Sequence, residues 1–197
     1  MYALLSRAFS FPSTELHAEV AGGGWLDELT AALRLLPHHL GAGEPATWRV
    51  PAAYDEFQSE YIRLFEVGGR GGAPCPLHSG HYARDRLRAM EELVRFYNFF
   101  GLKIAPGLMP DHVTVEMEFM QFLTDVPSEA RDTSGDSRSY LRAQRDFLTS
   151  HLGRPWPVAA LALKRERALP FYRSLVALTA RFLEAKQRYV ERALVSA

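Results

Sequence analysis

Apolar side chains recur at steps of three and four residues along nearly the whole chain, and no stretch has the alternation of two that marks a half-buried strand. That regularity predicts an all-α fold. Leu4, Leu5, Ala8 and Phe9 share one helical side, Pro12 interrupts them, and Ser13 is placed to cap a short second helix through Val20. Three glycines, Gly22 to Gly24, end it. Leu26, Leu29, Leu33 and Leu36 predict a third helix from Asp27, stopped before Pro37, with a surface connection over Gly41 to Pro45. A fourth begins near Pro51, where a missing first-turn amide costs nothing, and carries Tyr54, Phe57, Tyr61, Leu64 and Phe65 as an aromatic-rich stripe.

The run Gly68-Gly69-Arg70-Gly71-Gly72, followed by Pro74 and Pro76, is too rich in glycine and proline for a helix, so a loop is expected near 67–79. A long helix then carries Tyr82, Leu87, Met90, Leu93, Val94, Tyr97 and Phe100 and ends at Gly101. Asp111 is placed to cap the next, which runs through Val115, Phe119, Met120 and Leu123. A polar segment near 127–138 reads as an exposed loop whose composition suits disorder. Two helices are expected to complete the chain, one with Tyr140, Leu141, Phe147 and Leu148, the other with Leu175, Leu178, Phe182 and Tyr189. The expectation is one globular domain over 1–197, of roughly eight to ten helices.

At 197 residues, 47% of them apolar and 23% charged, the chain can bury a core of its own. Its 23 basic residues match its 23 acidic ones, which argues against nucleic acid as a partner, because no overall positive field exists to gather phosphates. The single cysteine, Cys75, forbids an internal disulfide and suits a reducing compartment. The opening residues, with apolar groups ahead of the first charge and Pro12 soon after, are not composed like an export leader. No run approaches the roughly 20 apolar residues a spanning helix needs. A cytoplasmic location without membrane insertion is the expectation.

Three constellations could carry chemistry. Cys75, His78 and His81 offer soft ligands at close spacing, but a fourth ligand is not evident and the spacing matches no common zinc framework, so a packed loop is the stronger reading. His112 and Glu116 lie four apart on one helix with Asp111 adjacent, an arrangement open to acid–base work in a small metal-dependent hydrolase or nucleotide-binding enzyme. A structural role, with Asp111 as cap and His112 holding a neighbouring group, weighs more. Glu118 falls on a different face. The glycine-rich loop lacks the Gly-Lys-Ser/Thr ending of a phosphate cradle, and no Gly-x-Ser-x-Gly elbow occurs.

Taken together, Tyr61-Ile62-Arg63-Leu64-Phe65-Glu66-Val67-Gly68, then Pro74-Cys75-Pro76-Leu77-His78-Ser79-Gly80-His81-Tyr82, then Pro110-Asp111-His112 with Glu118-Phe119-Met120, resemble the TorD-like maturation chaperones of molybdenum enzymes. These redox enzyme maturation proteins include the private chaperones of trimethylamine N-oxide, dimethyl sulfoxide and nitrate reductases. The resemblance runs from about Leu4 to the last helix. The wording Leu-Phe-Glu-Val-Gly and the cysteine-bearing loop look most like the branch serving periplasmic relatives such as dimethyl sulfide, ethylbenzene, selenate or chlorate enzymes. One departure is that Leu108-Met109-Pro110 stands where many members carry a glutamate.

The resemblance implies an all-helical fold and a protein that binds a client and catalyses nothing. The client would be the catalytic subunit of a dimethyl sulfoxide reductase-family molybdoenzyme, or its twin-arginine signal peptide, held in the cytoplasm during cofactor insertion and kept from premature export. The positions that match the family's client-holding region are Tyr61, Leu64, Phe65, Pro76, Ser79, Tyr82, Asp111 and His112. Tyr61, Phe65, Tyr82 and Phe119 are expected to supply apolar walls, and Asp111 and Glu116 carboxylates for arginine. No cofactor is expected on the chain itself.

Overall fold

The computed structural model describes residues 1–41, 46–68, 71–125 and 137–196. Two helix starts fall where a polar side chain takes a first-turn amide. Ser13 Oγ accepts from the Leu16 amide at 3.2 Å to open α2 (Thr14–Ala21), after α1 (Tyr2–Phe9) has ended ahead of Pro12. Asp85 Oδ1 accepts from the Arg88 amide at 3.1 Å to open α5 (Arg86–Phe99). Between these lie α3 (Gly24–Arg34) and α4 (Tyr54–Tyr61), and beyond them α6 (Val113–Asp125), α7 (Ser137–Phe147), α8 (Pro155–Arg165) and α9 (Pro170–Ser196). The all-α expectation holds: among the described residues there is no strand, only one isolated bridge.

Several boundaries differ from the sequence reading. The fourth helix starts at Tyr54, not at Pro51, because the Pro51 carbonyl is taken by His17 Nε2 at 2.8 Å. The long helix begins at Arg86, since Ser79–Tyr82 form a separate 3₁₀ turn ahead of the Asp85 cap. The expectation of two closing helices misses α8, whose Pro155 and Pro157 look like breakers but sit in a first turn, where proline is tolerated. Residues 42–45 of the expected surface connection, 69–70 of the glycine run and 126–136 of the polar segment lie outside the described residues.

Two helices overrun into π turns, Ile62–Glu66 after α4 and Leu148–Leu152 after α7. Such wide turns shift the chain by a fraction of a residue and often occur beside functional sites. Helix α1 packs on α6, and α9 packs on α7 and α8.

Two aromatic clusters fill the centre. In one, Phe57 stacks on Tyr172 at 5.0 Å between centroids, and Phe171 meets Trp25, Trp48 and Phe57 edge-on. In the other, Phe119 lies 4.7 Å from Phe147 and 5.0 Å from Tyr97. Tyr61 and Tyr172, whose hydroxyls enter this interior, each find a carbonyl: Tyr61 Oη donates to Phe9 at 2.8 Å and Tyr172 Oη to Phe57 at 3.2 Å. Burying a ring while satisfying its hydroxyl fixes one helix register against another. No described helix is long and apolar enough to cross a membrane.

Phe171 is fully buried at the meeting point of four rings. Phe171→Ala is expected to cost about 3–5 kcal/mol through lost transfer energy and a residual cavity. A urea titration followed by circular dichroism checks this by a lower midpoint at unchanged slope.

Candidate functional site

The second and third sequence motifs meet through their backbones. The Val113 amide donates to the Leu77 carbonyl and the Ser79 amide to the Asp111 carbonyl, each at 2.8 Å, so His78 and His112 face each other as one antiparallel rung. The first motif joins from the other side, with the Cys75 amide donating to the Leu64 carbonyl at 2.9 Å inside the π turn. Tyr82 Oη donates to the Pro76 carbonyl at 3.1 Å and Tyr97 Oη to the Pro110 carbonyl at 2.8 Å, so each loop is also held by a ring. These bonds give buried loop amides and carbonyls the partners that a helix would otherwise supply.

Under the rung lies the carboxylate of Asp111, wholly buried. Its Oδ1 is 2.9 Å from His78 Nδ1, and Arg86 Nε is 3.5 Å from Oδ2, near enough to contribute charge but long for a hydrogen bond. Burial pushes the Asp111 carboxyl up. The His78 hydrogen bond, the charge His78 carries when protonated and the Arg86 guanidinium together outweigh burial and hold it below the usual carboxylate range. Gly80 is required by the same packing: a Cβ there would sit 2.6 Å from Asp111 Oδ2 and 2.8 Å from Arg86 Cγ. The expected cap role of Asp111 is therefore corrected. Its side chain turns to His78 and Arg86, and it is His112 Nδ1 that accepts from the Thr114 amide at 3.4 Å and contacts Thr114 Oγ1 at 2.7 Å.

Glu116, one turn further along α6, is also wholly buried and is shifted the opposite way. Ser79 Oγ donates to its Oε1 while Oε2 has no hydrogen-bond partner. Desolvation raises its carboxyl well above the ordinary value, with the Asp111 charge adding to the rise, and the single Ser79 bond does not offset them. Glu116 therefore favours its protonated form far more than a solvated carboxyl does.

The histidines form the outward layer. The His78 ring lies 5.0 Å from His112 and 6.2 Å from His81. Burial, followed by the charge of His78, depresses His112 to about 4, so it is neutral at physiological pH. Cys75 is buried and its thiol is pushed up to about 12, the reverse of what a metal ligand or nucleophile needs. Among the described residues no group of three or more His, Cys, Asp or Glu could hold a metal ion.

Of the ten positions read as client-binding, the motifs bring Pro76, Ser79, Tyr82, Asp111, His112 and Glu116 together. Burial divides the set differently from the expectation. Tyr61, Leu64, Phe65 and Phe119 are core groups at 3% exposure or less; the first three shape the surface from beneath, while Phe119 borders a groove between the 102–108 segment and α6. Asp111 and Glu116 are not accessible carboxylates: both are wholly buried, one engaged by His78 and Arg86, the other by Ser79. Nor do Asp111, His112 and Glu116 converge as a catalytic trio, because their side chains turn to His78, Thr114 and Ser79 respectively. Pro76, Tyr82 and His112 are half-buried, as is His78, while His81 is exposed. Sequence reasoning missed Gly80 and Arg86; the available signal was that both lie within seven residues of Ser79, inside or beside the quoted motif.

The sequence profile of the nitrate reductase delta subunit family matches residues 25–159, which span all three motifs. Three curated proteins are each 30% identical to the chain. The perchlorate reductase assembly chaperone protein of Dechloromonas aromatica (strain RCB) aligns over 94% of this chain and 86% of its own length. The dimethyl sulfide dehydrogenase assembly chaperone protein of Rhodovulum sulfidophilum aligns over 91% and 74%, and the selenate reductase assembly chaperone protein of Thauera selenatis over 77% and 68%.

The raised carboxyl of Glu116 sets a sign for stability against pH. A carboxyl whose folded value is raised binds its proton more tightly in the native chain than in the unfolded one. Stability from this group is complete below the unfolded value of about 4.3 and falls as pH rises from there towards the folded value, by up to about 1.4 kcal/mol per pH unit. Glu116→Gln keeps the shape and the Ser79 contact but carries no proton to lose. The variant is expected to be more stable than wild type at pH 7 and to lack that decline between about pH 5 and 7; urea midpoints across the range would show parallel profiles if the assignment were wrong.

Proposed function

Because the chain belongs to the nitrate reductase delta subunit family, we propose that it is a system-specific assembly chaperone for the catalytic subunit of a molybdenum oxidoreductase. It acts as a binding protein without turnover of its own. In this reading it works in the cytoplasm, holds the subunit while the molybdenum cofactor is inserted, and withholds it from export until folding is complete. The observation that carries the proposal is the 30% identity over 94% of the chain to a perchlorate reductase assembly chaperone. The other relatives serve selenate reductase and dimethyl sulfide dehydrogenase by name, which agrees with the branch read from the Leu-Phe-Glu-Val-Gly and cysteine-loop wording and favours a client from the dimethyl sulfoxide reductase family.

The geometry supports a division of labour among the motif residues. Asp111, Glu116, Ser79, Tyr61, Leu64, Phe65 and Phe119 make a rigid floor, and Pro76, His78, His81, Tyr82 and His112 present its outer face to the client. A floor held by backbone bonds and buried carboxyls loses little conformational freedom on binding, which leaves more of the contact energy as affinity.

A twin-arginine leader needs apolar surface and an accessible carboxylate. Both occur between the 102–108 segment and α6, in a groove of about 280 Å³ lined by Leu102, Ile104, Leu108, Val115 and Phe122, with Glu118 exposed at the rim. An arginine fork can meet Glu118 bidentately while the leader's apolar stretch covers the groove.

Two measurements test these assignments. Tagged protein recovered from its native cells, blocked in cofactor synthesis, is expected to bring down a molybdoenzyme catalytic subunit, and His81→Asp is expected to lower recovery about tenfold, equivalent to about 1.4 kcal/mol, without changing thermal unfolding. Capture of no such subunit by wild type would sink the chaperone reading. For the leader, fluorescence anisotropy with a labelled twin-arginine peptide is expected to show about tenfold weaker binding by Glu118→Lys; equal binding would remove the groove from consideration.

A further inference from the structure

We propose that the cavity bounded by the start of α1, the turn after α3, the end of α6 and the middle of α7 and α9 binds a small organic anion that brings a hydrogen-bond donor of its own. The cavity encloses about 420 Å³, within the range of sites for small molecules. It shares no residue with the bridged motifs. Asp125, on its wall, closes the 13-residue helix α6 at the end opposite Val113, about 20 Å away at helical rise.

Three side chains on this wall are more than nine-tenths buried and have polar atoms without a hydrogen-bond partner: Tyr2 Oη, both ring nitrogens of His38, and Gln144 Oε1. A buried polar atom left unsatisfied loses its hydration without compensation, so three side chains converging on one space are unlike ordinary core packing. Their pattern is specific. Gln144 Nε2 donates to the Leu123 carbonyl at 3.0 Å, which fixes the amide so that Oε1 is the cavity's acceptor and asks for a donor from the ligand. Neutral His38 offers one donor and one acceptor, and Tyr2 a hydroxyl that serves as either.

The charge comes from α9. Lys186 lines the cavity, and an adjoining open cleft of about 630 Å³, which shares Pro37, His38 and Tyr189, adds Arg188 and Arg192. Among the described residues lining either space, Asp125 is the one acidic side chain. Although Glu184 pairs with Arg188, the field at His38 is net positive: after burial, the charges of Lys186, Arg192 and His39 are what lower its affinity for a proton. A carboxylate or phosphate placed towards Lys186 would relieve that field, while the ligand's body packs against Phe182 and Leu36.

The test follows the His38 ring resonances by NMR in the full chain while 4-aminobenzoate and 4-aminophenyl phosphate are titrated, each with an amino donor, and acetate and inorganic phosphate serve as bare ions. The expected result is a saturable shift of His38 with at least one aromatic anion, about tenfold tighter than its bare counterpart. Binding should weaken several-fold in Gln144→Leu and in Lys186→Met, and the comparison is made with whichever of the two unfolds like wild type. The inference is overturned if neither aromatic anion gives a saturable shift, if the bare ions bind as tightly, or if the folded variants bind like wild type. None of these outcomes bears on the chaperone reading, which rests on sequence relationship and on motif loops that share no residue with this cavity.

Discussion

Two backbone hydrogen bonds, Val113 to Leu77 and Ser79 to Asp111, determine how the motif-bearing loops of this helical protein are arranged. Helices satisfy their own amides, but the described residues between the π turn and α5 are not helical apart from one short 3₁₀ turn, and their buried polar groups need outside partners. The rung formed with the lead-in to α6 supplies them. Once it is in place, Ser79 faces Glu116, His78 faces Asp111, and Gly80 lies against the Asp111 carboxylate with no room for a side chain.

The two carboxyls beneath the rung show how neighbouring acids divide when their surroundings differ. Asp111 has a histidine and a guanidinium within reach and stays ionised despite complete burial. Glu116 has one hydroxyl, and the negative charge of Asp111 nearby, and its carboxyl is pushed up. Two ionised acids at this depth would repel each other in a medium that screens weakly, so the split is the arrangement the fold can hold. Its consequence is that the motif acids are turned inward, and the solvent-facing groups of this region include His81 and, on α6, Glu118.

Much of this was legible from residue order. The period of three and four carried the all-α class; Ser13 carried a cap; the glycine and proline density of 68–76 carried the loop. The motifs carried the family, because residue types in a fixed order survive without knowledge of their contacts. Burial was less legible. Tyr61, Leu64, Phe65 and Phe119 read equally well as groove or core, since an apolar stripe has the same spacing whether it faces a ligand or another helix. Pro155 and Pro157 hid a helix, because proline reads as a breaker unless its place in the first turn is known.

By itself, then, the sequence determined a helical chain of one recognisable family and the residues from which its site is made. Those are local properties, set by side-chain volume, polarity and spacing along the backbone. Only the tertiary structure decided that Asp111 turns to His78 and Arg86 instead of capping α6, that burial pushes the Glu116 carboxyl up, and that Tyr2, His38 and Gln144 converge on one cavity. Each depends on partners far away along the chain: hydrogen bonding and desolvation act through space, and linear order does not encode which distant groups will arrive.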